Sequence, residues 1–185
     1  ELRVQSADAP TRLARLLTTA AGATAFVLAL SGCTITTTSA DQSLPDGVPA
    51  GAERMTVDHV HDGDTLWAVD SAGEKIKIRL IGVNTPEVTE PAECYSAEAT
   101  TELSRLAPTA SVLWAVPDRE PTDRYGRELL YLWTADGTFI NYELVEGGFG
   151  VALRVRPNDR YFSELKDAES SARAAGLGLW GACDR

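Results

Sequence analysis

The sequence predicts an α+β domain dominated by β structure: a small five-stranded barrel carrying three helices. Three observations lead there. Apolar and polar residues alternate with a period of two in short runs, most clearly in "EKIKIRLIGV" at 74–83. An Asp-Gly pair, Asp62-Gly63, separates the first two such runs, which is a hairpin signal. Helical patterns fall after the third and fifth runs, giving the order β-β-β-α-β-β-α-α.

The elements follow in order. "RMTVDHVHDGDTLWAVD" (54–70) reads as strand, turn and strand, with the turn expected to need a positive φ. In the third strand Ile76, Ile78 and Leu80 oppose Lys75, Lys77 and Arg79. "SAEATTELSRLA" (96–107) is a helix with Ser96 as expected N-cap and Ala99, Leu103 and Leu106 on one face. "ASVLWAVP" (110–117) and "RELLYLWT" (127–134) are the fourth and fifth strands. "GTFINYELVEGG" (137–148) is a second helix ending at a glycine pair, and "RYFSELKDAESSARAAG" (160–176) a third, closed by Gly176. Trp67, Trp114, Trp133 and Trp180 read as core rather than as stacking platforms. A five-strand run with a helix between strands three and four suits an oligonucleotide-binding-type (OB) barrel.

Length and charge bound the function. The 185 residues, 44% of them hydrophobic, suit one domain plus additional material. A formal net charge of −10 argues against a passive nucleic-acid coat, which needs a basic surface. It does not exclude an enzyme, because a bound cation and a few placed arginines supply positive charge locally.

Residues 1–33 read as export machinery. Arg12 and Arg15 precede "LLTTAAGATAFVLALSGC" (16–33), a basic region followed by an apolar region and small residues. "LSGC" (30–33) resembles the lipobox of bacterial lipoproteins, in which the signal is cut before a cysteine that becomes lipidated; this makes Cys33 the expected anchor. The alternative is an ordinary secretory signal with a chance cysteine. Residues 34–53, rich in Thr, Ser, Pro, Gly and Ala, read as a flexible tether, and 54–185 as the folded domain. Without residues 1–33 the chain carries 14 basic and 25 acidic residues, so it stays acidic. Cys94 and Cys183 then form an even pair, expected to bond in an oxidising compartment; two buried free thiols are the alternative.

Several residues can carry chemistry. Asp62-Gly63 is explained by a turn, but Asp64 at the start of strand two is not, and its carboxylate suits a hard cation together with oxygens from residues 84–85. Arg79 and Glu87 place a phosphate fork and a carboxylate beside one loop. In "TDRYGR" (122–127), Gly126 permits a tight turn, and Arg124 and Arg127 are solubilising charges or, for Arg127, a phosphate clamp opposite Arg79. His59 and His61 alternate on strand one, but with no third ligand evident they read as a surface pair.

"DGDT", "RLIGVNTPE", "DRYGR" and "GLGLW", in this order and spacing, closely resemble the staphylococcal (thermonuclease) nuclease family over residues 55 to 181. The resemblance implies an OB-fold enzyme that uses Ca²⁺ to cleave DNA and RNA and leaves 3′-phosphate ends. Carried over by position, Asp64 is a metal carboxylate, Asn84 stands where the family has a second one, and Thr85 gives a backbone carbonyl. Glu87 orients or deprotonates the attacking water, Arg79 and Arg127 contact the phosphate, Asp62 supports the metal acid, and Arg124 and Tyr125 bind substrate. The family's pattern is broken at Asn84, which implies a weaker metal site, and at Leu153 and Val155, where aromatic residues line the nucleotide pocket in the family. The expected protein is an exported, lipid-anchored monomer with DNA and RNA as substrates. The competing reading is a non-catalytic OB-fold envelope lipoprotein that binds nucleic acid or protein, or one whose site is vestigial.

Overall fold

A computed structural model describes residues 43–184; the expected signal segment, Cys33 and residues 34–42 of the expected tether lie outside the described residues. Five strands, β1 (Glu53–Val60), β2 (Thr65–Val69), β3 (Lys75–Leu80), β5 (Val112–Thr122) and β6 (Glu128–Thr134), close a barrel in the order β1-β2-β3-β6-β5. The β3–β6 pair is parallel and the others antiparallel. Two two-residue strands, β4 (Val83–Asn84) and β7 (Val151–Ala152), form a separate ribbon. The helices are α1 (Ser96–Leu106), α2 (Ile140–Glu146), α3 (Phe162–Ala175) and the single turn α4 (Leu179–Ala182). The OB-type barrel with three principal helices stands as expected.

Period-two alternation fills the barrel. Met55, Val57, Leu66, Ala68, Ile78, Leu80, Leu113, Ala115, Leu130 and Leu132 point inward, and α1, α2 and α3 add Leu103, Leu144 and Leu165 to the same cluster. The outward face of β6 builds a second cluster, in which Tyr131 and Trp133 pack with Phe139 and Tyr161. Asn141, fully buried, joins the layers: its Nδ2 donates to the Ile81 carbonyl (2.8 Å) and its Oδ1 accepts the Leu132 N–H (2.9 Å). Residues before β1 lie on the barrel, with Val48 and Ala52 against the second cluster. The Cys94–Cys183 bridge forms, with Cα atoms 6.0 Å apart, and in the chain-entropy picture a loop of that length stabilises by about 4–5 kcal/mol.

Four details differ from expectation. The turn at Gly63 has no positive φ; it is held by the Asp64 N–H donating to Asp62 Oδ1 (3.0 Å), and glycine is required for space. A Cβ there would lie 2.7 Å from Thr85 Oγ1 and 2.8 Å from the Ala99 Cβ. Ser96 is not the N-cap of α1: Tyr95, in the left-handed region at φ 74°, precedes the helix, and Ser96 is its buried first residue. β5 continues five residues beyond Pro117 because β6 supplies partners as far as Thr122↔Glu128. Trp67 lies on the barrel exterior between Lys75 and Lys77, not in the core.

Gly63→Ala must push apart Thr85 and α1. It is expected to lower stability by about 1–3 kcal/mol, read as a reduced denaturant midpoint at unchanged slope.

Candidate active site

The β1–β2 turn, the end of β3, and the segment that follows β3 meet at one rim of the barrel. Asp64 opens β2, and its backbone carbonyl accepts the Leu80 N–H (2.9 Å), which fixes the turn against the end of β3. Its carboxylate is almost enclosed. Oδ1 accepts the Thr65 hydroxyl (3.1 Å), while Oδ2 accepts the Thr85 N–H (2.9 Å) and an Arg79 Nη2–H (2.9 Å). Burial pushes the Asp64 carboxyl above the ordinary carboxylate range, opposed by the Arg79 guanidinium and the Thr85 N–H.

Arg79 does not stand in solvent like Lys75 on the same strand face; its side chain is 13% exposed. Nη1 donates to the carbonyls of Leu80 (2.8 Å) and Val83 (2.7 Å), which sets the plane of the fork. Nη2 donates to Asn84 Oδ1 (3.2 Å) as well as to Asp64. Two oxygens from different segments, one carboxylate and one amide, therefore face the same cationic nitrogen. Burial lowers the Arg79 pKa, partly offset by the field of Asp64; Arg127, Asp62 and Glu87 also act on it. Every group assigned from the sequence to phosphate or proton chemistry is thus within electrostatic reach of Arg79.

Arg127 comes from the β5–β6 turn. Gly126 sits at φ 76°, which the tight turn needs. The turn is organised by Asp123, which the sequence reading missed. Asp123 Oδ1 accepts the N–H groups of Tyr125 (2.9 Å) and Arg127 (3.0 Å), and Oδ2 accepts Arg127 Nε (2.7 Å). Although partial burial opposes it, these bonds hold the Asp123 carboxyl below its ordinary range. Arg124 stacks on Tyr125 (4.7 Å) and donates to its hydroxyl (2.6 Å), while Tyr125 is 69% exposed. Arg79 and Arg127 together line a cavity of about 180 Å³ with Leu153, Val155 and Asn158 on its other side.

Glu87 is exposed, on the segment after β4. Its backbone is held by Glu93, a second residue without a sequence signal: the Glu87 N–H donates to Glu93 Oε2 (3.0 Å), and the Glu93 N–H returns to the Glu87 carbonyl (2.9 Å). Cys94, next in the chain, is tied to α4 by the disulfide. Asp62 accepts the Asp64 N–H and so braces that backbone. His59 and His61 are exposed, and His59 bonds Asp58 (2.5 Å). Among the described residues no group of three or more His, Cys, Asp or Glu side chains comes together as a metal cluster.

Comparison with known proteins follows this geometry. Residues 77–182 match the family described as Staphylococcal nuclease homologue. A thermonuclease of Staphylococcus intermedius is 35% identical over 131 residues, covering 69% of this chain and 76% of the relative. One of Staphylococcus hyicus is 33% identical over 134 residues, covering 71% and 78%. An endonuclease of Bacillus subtilis is 28% identical over 130 residues, covering 68% and 61%.

Asp123→Asn keeps the turn's acceptor but removes the charge that holds the Arg127 Nε–H. The expected result is a shifted and broadened Arg127 Nε–H resonance. Stability should fall by about 1 kcal/mol, since a partly exposed ion pair contributes little. Cleavage should fall while Arg127→Ala in the same background adds little more, the non-additivity of two residues acting as one unit.

Proposed function

The chain belongs to the staphylococcal nuclease homologue family, and from that premise we propose that this nuclease is a Ca²⁺-dependent, extracytoplasmic phosphodiesterase that cleaves DNA and RNA to 3′-phosphate ends. The observation that carries the reading is the convergence of Arg79 and Arg127 on one cavity, with Asp64 and Asn84 bonded to Arg79.

The donor chemistry fits a hard cation. Asp64 Oδ2 and Asn84 Oδ1 already share one positive partner, and an oxygen-only set completed by a carbonyl such as that of Thr85 and by water is what Ca²⁺ accepts. When bound, the ion supplies Lewis-acid polarisation of a phosphate oxygen. The rest falls to the chain's own residues. Arg79, oriented through Nη1, brings its charge to the rim and reaches a phosphate oxygen by exchanging an Nη2 bond to Asp64 or Asn84; Arg127, oriented through Nε, offers its two terminal nitrogens from the other side. The Arg127 fork is set in advance, so charge developing on the phosphate meets donors there that need no reorganisation. Glu87 holds the attacking water and takes its proton, and its exposure leaves that water's path open. Burial of Asp64 keeps competing water away from its carboxylate, and the Thr85 N–H and Thr65 hydroxyl fix its rotamer. Asn84 withholds one negative charge from the cation, which gives a looser site than two carboxylates would.

Export and lipidation at Cys33 are part of the same reading. "LSGC" supports them, and the Cys94–Cys183 bridge fits an oxidising compartment. Membrane retention of the full chain should be lost in Cys33→Ser; unchanged retention would remove the anchor.

The activity is tested with the oxidised full chain on single-stranded DNA and RNA. Cleavage is expected with Ca²⁺ and not with chelator, and products should gain a free 3′-hydroxyl on phosphatase treatment. Glu87→Gln should lower the rate by roughly 10²–10⁴-fold and Arg127→Ala by roughly 10²–10³-fold. Asn84→Asp should lower the Ca²⁺ concentration for half-maximal rate. A folded chain that is inert at high Ca²⁺ would sink the proposal.

A further inference from the structure

The strand that delivers Arg79 continues outward as a cationic strip that the site chemistry does not use. On the barrel exterior, Thr65 pairs with Arg79, Trp67 with Lys77, and Val69 with Lys75. Across the other edge of β2, His59 pairs with Trp67. Asp58 is the extra residue of a β-bulge between Val57 and His59, and the bulge turns both Asp58 and His59 to this face. Lys75 Nζ lies 5.6 Å and Lys77 Nζ 5.8 Å from the Trp67 ring centroid, and the His59 ring lies nearly parallel to the indole at 6.2 Å.

This composition is not what the rest of the chain predicts. The sequence has three lysines, and two of them flank this one tryptophan; one of its two histidines sits beside them, in a chain of net charge −10. Asp58 engages Lys75 (2.6 Å) and His59, so that corner is neutralised. Lys77, directly across from Trp67 and midway between Lys75 and Arg79 on β3, makes no ion pair among the described residues. Alternate residues of a strand stand about 7 Å apart, so Arg79, Lys77 and Lys75 step outward at a spacing comparable to one nucleotide of an extended strand. An indole half-exposed between flexible cations is a platform on which a base can stack while the ammonium groups move to its phosphates.

We infer that the outer face of β2 and β3, made by Trp67, Lys77, Lys75 and His59, is an extension subsite for single-stranded nucleic acid running away from the phosphate held at Arg79. The inference rests on the nuclease reading for its substrate class. Leu153 and Val155 give the cavity wall no ring to stack on, whereas Trp67 gives the sheet face one. Strands of several nucleotides should bind better than a mononucleotide, because only they place a further base at Trp67.

The test is binding, measured apart from cleavage. Full-length oxidised chain carrying Glu87→Gln is titrated in Ca²⁺ against a fluorescein-labelled thymidine mononucleotide and an oligothymidylate of eight nucleotides, followed by anisotropy. Trp67→Ala is expected to weaken the eight-mer about tenfold and leave the mononucleotide unchanged, with Trp67→Phe restoring most of the loss. Lys77→Gln should reduce the salt slope for the eight-mer by about 0.7 and leave that for the mononucleotide alone. Thermal unfolding of each variant reports its fold. Equal loss at both lengths, no loss at the longer, or a phenylalanine variant as weak as alanine would overturn the subsite. A native chain that binds the eight-mer through Trp67 but cleaves nothing would retain the subsite and refute the nuclease reading. A native chain that binds neither length would refute both.

Discussion

Asp64 is the group on which the site geometry turns. Its carboxylate accepts from the Thr65 hydroxyl, the Thr85 backbone and the Arg79 guanidinium, and its carbonyl accepts the Leu80 N–H. It thereby joins the β1–β2 turn, the end of β3 and the segment that leads to Glu87. A carboxylate enclosed this far is tolerated because each oxygen has a donor and one donor is charged; removing Arg79 would leave a buried charge without its counterion. Gly63 has the same origin, since only a residue without a Cβ lets Thr85 and Ala99 close over the turn.

The two arginines reach the cavity by different means. Arg79 is held by backbone carbonyls on its own strand and the residues just beyond, so its placement follows from the barrel. Arg127 is held by Asp123 within a five-residue turn, so its placement follows from local turn chemistry and only indirectly from the core. A site assembled this way tolerates changes in its walls. Leu153 and Val155 line the cavity opposite the two arginines and take no part in holding either fork.

Much of the architecture was legible in the sequence because it rests on periodicity. Ile76, Ile78 and Leu80 alternate as a half-buried strand must, and Ala99, Leu103 and Leu106 bury as the helical period requires. The parts that escaped are those fixed by partners distant in sequence. β4 and β7 are two residues each, too short to carry a period, and exist only as each other's partner. "DREPT" reads as loop until β6 is beside it. Ser96 has the chemistry of a cap, but Tyr95 in the left-handed region leaves it no capping position. The side chains assigned to the site, Arg79, Asp64, Asn84, Arg127 and Glu87, do gather around Arg79. Asp123 and Glu93 were missed because their work is to bond backbone N–H groups, which no residue spacing announces. Trp67 was misplaced because a tryptophan in a strand is ordinarily core, and only the register reveals which face it takes.

The bridge from Cys94 to Cys183 has a consequence for the order in which the molecule is completed. The segment bearing Glu87 ends at Cys94, and its covalent partner lies 89 residues further on, just past α4. A growing chain can lay down the barrel strands, both arginines and Asp64 before that partner has been synthesised. The last constraint on the segment that carries Glu87 therefore arrives only after α4 is made and thiols can oxidise, so this edge of the cavity-bearing rim is the part of the fold closed last.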